Sequence, residues 1–156
     1  MIDDSYFSNI AYEVLASPIY ERLKSFSAHG SISVYEHSLA VAEYAYLYAK
    51  KKNLDIDYRS LIRGALLHDF YLYDWHRSGE GHKLHGFRHP FFAFRNAKKH
   101  FVINQIESNI IRSHMFPLVF WCWPRYKEAW IVMKSDRHCA WCETFKKKEK
   151  ILEGMI

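Results

Sequence analysis

Leu61-Ile62-Arg63-Gly64-Ala65-Leu66-Leu67-His68-Asp69 reads as an apolar helix ending in two consecutive side chains that can bind metal. Neighbouring residues on a helix point about 100° apart. His68 and Asp69 can therefore share one ion only if it sits at the flank of the helix. A neutral imidazole beside a carboxylate suits borderline divalent metals such as iron, manganese, zinc, cobalt and nickel. A His-Asp dipeptide is common by chance, so its weight depends on what the rest of the chain places around it.

Working outward from this helix, Asp57 is a plausible N-cap for a helix over about 58–70. Upstream, Ser33-Val34-Tyr35-Glu36 has the capping-box pattern, with Ser at the N-cap and Glu at the third helical position. It opens a helix to about residue 52, with Val34, His37, Val41, Tyr44 and Tyr48 on one face. Residues 6–26 predict one or two helices broken at Ser17-Pro18, with Pro18 in the first turn of the second. Residues 28–31 read as a loop, and 53–56 as a turn. Downstream, residues 73–88 form the longest irregular stretch and carry Gly79, Gly81, Gly86, His76, His82 and His85. Loops of that length in small domains are often functional. Pro90 is expected in the first turn of a helix to about residue 100. Asn104 and Glu107 form another cap pair, opening a helix to about residue 114. Pro117 and Pro124 bracket an aromatic segment, and a last helix covers about 126–150. Strand alternation is not convincing anywhere. The expectation is an all-α fold, a compact helical bundle of six to eight helices, forming a single domain over residues 1–156 with its core at about 30–145.

Composition limits the function classes. The chain is 156 residues with 49% hydrophobic side chains, enough for one packed core. Aromatic residues make up 17%, and they fill cores more often than they line sites. Core packing is accordingly expected for Phe120, Trp121 and Trp123, with a hydrophobic lip or a homodimer contact as the alternative. The net charge of +5 favours anionic partners in general and does not single out nucleic acid; no stable nucleic-acid partner is expected. The Lys146-Lys147-Lys148 run suits a solvated helix end. No apolar stretch approaches the ~20 residues of a membrane span, and the first residues lack a secretory-signal pattern. Cys122, Cys139 and Cys142 are an odd number without a disulfide framework, so a reducing, cytoplasmic home is expected. Cys139 and Cys142 share a helix face, but structural zinc would need two further good ligands. Buried, unreactive thiols are the expectation.

Four more residues join His68 and Asp69. His37 lies on the apolar face of its helix. Asp136 sits mid-helix with Val132, Cys139 and Ala140 on nearby faces, where an unpaired carboxylate is costly and needs a cation. His89 directly precedes a predicted helix and His114 ends one. Singly, each has an ordinary reading as a hydrogen-bonded core histidine, a cap or a surface group. Coincidence explains the six together poorly, and a centre for divalent metal explains them well.

The order His, His-Asp, His, His, Asp resembles the HD superfamily of metal-dependent phosphohydrolases. The segments that carry the resemblance are 35–42 around Glu36-His37-Ser38, Gly64-Ala65-Leu66-Leu67-His68-Asp69, His89-Pro90, Ile111-Arg112-Ser113-His114 and Lys134-Ser135-Asp136. The resemblance implies that His37, His68, Asp69 and Asp136 bind a first metal, and that Asp69 bridges to a second held by His89 and His114. The two intermediate histidines suggest the two-metal subtype. His85 is a rival for the role of His89, and His89 is preferred because a His-Pro helix start is the commoner arrangement in the family. The sequence departs from the family's phosphodiesterase pattern at Leu72, where many members carry Lys three residues after the His-Asp pair, and it has no Gly-Tyr-Pro signature.

Under this reading one or two divalent ions are bound, with iron or manganese favoured and zinc, nickel, cobalt or magnesium admissible. A divalent ion lowers the pKa of water from about 15.7 towards ~7, which suits hydrolysis of a small phosphate ester, a nucleotide being the expected substrate. Asp69 and His68 are the expected catalytic residues. Lys83, Arg88, Arg112 and Lys134 are the candidates to neutralise phosphate oxygens. Two alternatives use the same six residues: a di-iron oxygenase of HD type, and a non-enzymatic helical binding module that keeps its metal for stability.

Overall fold

The computed structural model describes residues 2–29, 31–73 and 84–145. Seven α-helices lie among them: α1 (Ser5–Leu15), α2 (Pro18–Glu21), α3 (Val34–Lys51), α4 (Tyr58–Leu67), α5 (His85–His100), α6 (Gln105–Ser113) and α7 (Lys127–Phe145). A 3-10 turn follows α2, and a short antiparallel hairpin, β1 (Ser27–His29) and β2 (Ile32–Ser33), leads into α3. The all-α expectation holds. The hairpin replaces the loop expected at 28–31; it is too short for alternation to mark it.

The helix starts are set by local chemistry. The Ser33 hydroxyl accepts from the Glu36 amide while the Glu36 carboxylate accepts from the Ser33 amide, and Asn104 and Glu107 repeat the arrangement at α6. Asp57 caps α4 by accepting from the Ser60 amide, and its own amide donates to Glu128 of α7. Asp4 caps α1 through one carboxylate oxygen and accepts from the Tyr46 hydroxyl of α3 through the other. Each cap satisfies orphan helix donors, and the last two also tie one helix to another.

The centre of the bundle is α3, α4, α6 and α7, with α1 against α4 and α5 against α6. The buried face of α3 is Val34, His37, Val41, Ala42, Ala45, Tyr46 and Ala49. That corrects the expected stripe: Tyr48 is exposed and Tyr44 half-buried. The alanines allow the neighbouring helix to approach closely, and Tyr44 stacks on His138 of α7 at the edge of that face. Between α4 and α6 the approach is closer still, because a Cβ at Gly64 would run into the Ile110 side chain. Arg63, buried beside it, pairs with Glu107 at 2.7 Å and Glu13 at 3.1 Å and donates to the Val102 carbonyl. A buried guanidinium so fully bonded fixes α4 against α6 and α1.

Two boundaries and one stretch of packing differ from the sequence reading. α4 stops at Leu67 rather than near residue 70, with His68 as its C-cap. α5 begins at His85, so Pro90 lies inside it instead of in its first turn, and the helix forgoes one backbone donor there. The segment expected to pack Phe120, Trp121 and Trp123 into the core exposes all three, at 70%, 57% and 61%, while Val119 and Cys122 turn inward. In that tight run of turns only every third residue faces the bundle.

Candidate metal centre

His68 and His114 occupy equivalent places, as the C-cap residues of α4 and α6. The last carbonyls of a helix have no partner within it. Each histidine turns its Nδ1 back onto one of them: His68 onto Ala65 at 2.7 Å, His114 onto Ile111 at 2.8 Å. That bond makes Nδ1 the protonated nitrogen and leaves Nε2 with a lone pair facing inward. The close α4–α6 contact at Gly64 brings the two rings together, with centroids 4.9 Å apart.

The remaining groups converge on them from three other directions. α3 supplies His37, α5 His89, α7 Asp136, and Asp69 follows α4 directly. His37 Nε2 lies 3.1 Å from Asp136 Oδ1, and His68 Nε2 lies 3.7 Å from the same oxygen. Asp69 Oδ1 stands 3.2 Å from His89 Nε2 and 3.4 Å from His114 Nε2, while its Oδ2 is 3.6 Å from His68 Nε2. The donors form two compact sets, His37–His68–Asp136 and Asp69–His89–His114. Asp69 presents one oxygen to each side. All six sequence candidates are thus within one buried cluster. His85 opens α5, but its side chain is outside the described residues, so the geometry speaks for His89 and is silent on its rival.

These donors fit a divalent cation. Bonds of about 2.0–2.2 Å to nitrogen or oxygen place neighbouring donors roughly 3–3.5 Å apart, and the donor pairs here lie 2.7–3.7 Å apart. His68 Nε2 and Asp69 Oδ1 are buried and make no hydrogen bond of good geometry. Buried polar atoms are rarely left so, and a cation in each donor set would satisfy one of them. His89 Nε2 and His114 Nε2 lie 2.7 Å apart, a separation at which two ring nitrogens must share a proton or a cation.

The electrostatics agree. Burial alone would push the carboxyl groups up, yet the charges and hydrogen bonds of the surrounding imidazoles hold Asp69 and Asp136 well below the usual carboxylate range. Burial would likewise depress His37, but its bonds to Asp136 and Glu143 carry it up to about 10. His68 is raised by Asp69 and Asp136 against its own burial, whereas burial keeps His114 low. Without metal, protons on His37 and His68 offset the charge of the ionised carboxylates.

Above the donors opens a cavity of about 630 Å³. Asp69, His89, His114 and Asp136 form its floor, and Tyr71, Met115, Leu118 and Ala140 contribute apolar wall. Among the described residues the cation lining it is Arg137, which also donates to the Phe116 carbonyl. Of the four expected phosphate partners, three lie among the described residues, and none of the three lines the cavity. Arg88 is exposed over the Phe92 ring, and Arg112 is exposed over Phe94 beside a separate groove with Trp121 and Trp123. Lys134 is exposed, two residues and about 200° of helix from Asp136. Lys83 lies outside the described residues. The sequence reading missed Arg137 and Glu143; the latter is seven residues after Asp136, two helical turns on the same face, and that spacing is a signal that could have found it. Cys122, Cys139 and Cys142 are free and buried, as expected.

A family model described as HD domain matches residues 34–141, the span that holds all six donors. The chain belongs to the HD domain family, whose members bind divalent metals and are mostly metal-dependent hydrolases. No curated protein and no solved structure matches the chain. No described helix is long and apolar enough to cross a membrane.

Proposed function

We propose that this protein is a two-metal phosphohydrolase that cleaves a small phosphate ester. The observation that carries the reading is the placement of Asp69, whose two carboxylate oxygens face different donor sets. His37, His68 and Asp136 would hold one ion, His89 and His114 the other, and Asp69 would bridge. When bound, the ions supply an acidified water and polarise phosphoryl oxygens.

The chain's own residues do the rest. Glu143 and the Ala65 and Ile111 carbonyls hold the Nδ1 atoms of His37, His68 and His114, so all three rings present Nε2 inward without reorganising. Burial of the donors excludes bulk water and strengthens every charge interaction within. Arg137, at the cavity wall, offers its planar guanidinium to the phosphate oxygens.

The test is a phosphatase and phosphodiesterase screen on metal-free protein reconstituted with manganese or iron. Metal-dependent phosphate release that disappears in Asp69→Ala is expected. A correctly folded, metal-loaded protein that releases no phosphate from any ester overturns the proposal. A second reading, an iron oxygenase, is favoured by the nitrogen-rich donor set of four imidazoles and two carboxylates; oxygen consumption with iron, and none with manganese, would select it.

A further inference from the structure

The walls of the cavity differ in chemistry from its floor. The floor is carboxylate and imidazole, and one guanidinium, Arg137, stands at its edge. Tyr71, Met115, Leu118 and Ala140 make an apolar side with no charged group among them. That side reaches the surface at Leu118, which is 42% exposed.

We infer that the substrate of this site is an amphiphilic phosphomonoester, one phosphate carrying an alkyl or aryl group, whose apolar part lies along Tyr71, Met115 and Leu118. The assignment of the phosphate end rests on the hydrolase reading above; the apolar end rests on the wall alone. Four arguments converge. Ligand cavities run to about 300–1,000 Å³, and this one has room for a phosphate and a chain of several carbons together. A polyphosphate would bring several negative charges to a wall that offers one cation among the described residues. A ribose would set hydroxyl groups against apolar side chains, where unpaired polar groups are costly. Met115, unbranched and polarisable, adapts to chains of different shape.

The test uses manganese-loaded protein and two readouts. The first is calorimetric binding of non-hydrolysable alkylphosphonates from methyl to octyl. Burial of each methylene is expected to tighten binding about twofold to fourfold, and Leu118→Asp is expected to flatten the series. Metal content and thermal melting of the variant establish that it is folded; Leu118→Ala, at the same exposed position, should give an intermediate slope. The second is hydrolysis of octyl phosphate against nucleoside monophosphates. A series flat in chain length, or nucleotides bound more tightly than the octyl compound, overturns the inference and leaves the hydrolase reading standing. Binding that climbs with chain length, with no ester hydrolysed, supports the apolar assignment and removes the hydrolase reading instead.

Discussion

Glu143 Oε2 lies 2.8 Å from His37 Nδ1, and its side chain is only 2% exposed. The carboxylate comes from the last turns of α7, seven residues beyond Asp136, which meets the other nitrogen of the same ring. One helix therefore grips both edges of the His37 imidazole. Carboxylates behind metal-binding histidines fix the ring and raise its basicity, and their loss commonly costs about 10–100-fold in metal affinity. Glu143→Ala is expected to weaken metal binding by that order, and Glu143→Gln, which keeps a hydrogen-bonding group, by less. Competition with a chelator of known affinity measures both.

Asp69→Asn tests the shared carboxylate. The amide retains the shape but can offer only one oxygen to the two donor sets. Elemental analysis is expected to show a lower metal-to-protein ratio than in the wild type, with phosphate release lost. Since a cation that binds only the folded state stabilises it by mass action, the melting temperature of the wild type should rise with added manganese, and that of Asp69→Asn by a smaller amount.

Gly64→Ala probes the contact that sets the distance between His68 and His114. The added methyl meets Ile110, and overpacking of this kind typically costs about 1–3 kcal/mol. Denaturant unfolding should show a loss in that range. Ile110→Val in the same chain removes one methyl from the crowded side and should recover part of it, so non-additivity in the double mutant is the signature.

The acid limb of stability has a named contributor far from the metal centre. The Tyr46 hydroxyl, then the Phe7 amide, hold the Asp4 carboxyl below its ordinary 3.8. A depressed carboxyl contributes stability that is present above the unfolded value and lost as pH falls through the folded one. Asp4→Asn should therefore be less stable than the wild type near neutrality, and the gap should narrow as pH falls below the ordinary carboxyl value of 3.8. Melting curves across that range decide the point.

What the sequence made legible is what local rules govern. Ser33 with Glu36 and Asn104 with Glu107 could be read because a cap needs only its own four residues. His68-Asp69 and the other donors could be read from their order along the chain. Where tertiary packing overrode local preference, reading failed. Pro90 sits inside a helix that starts five residues earlier, because the chain upstream was already helical from His85. Arg112 and Lys134 stand two residues from His114 and Asp136 in sequence, but two steps along a helix carry a side chain to the far side. Arg137, one step from Asp136, reaches the cavity wall instead.

The capping of α4 and α6 by His68 and His114 has an electrostatic result. A helix terminates in partial negative charge at its carboxyl end, and here two such ends are aimed at the place where two carboxylates already lie. The local potential is negative before any ion arrives, so it draws in cations and turns phosphate away. With that polarity, bound ions would reverse the sign of the field and make the floor of the cavity attractive to an anionic ester. Phosphonate affinity should accordingly collapse in chelated protein, even though every wall residue is still in place.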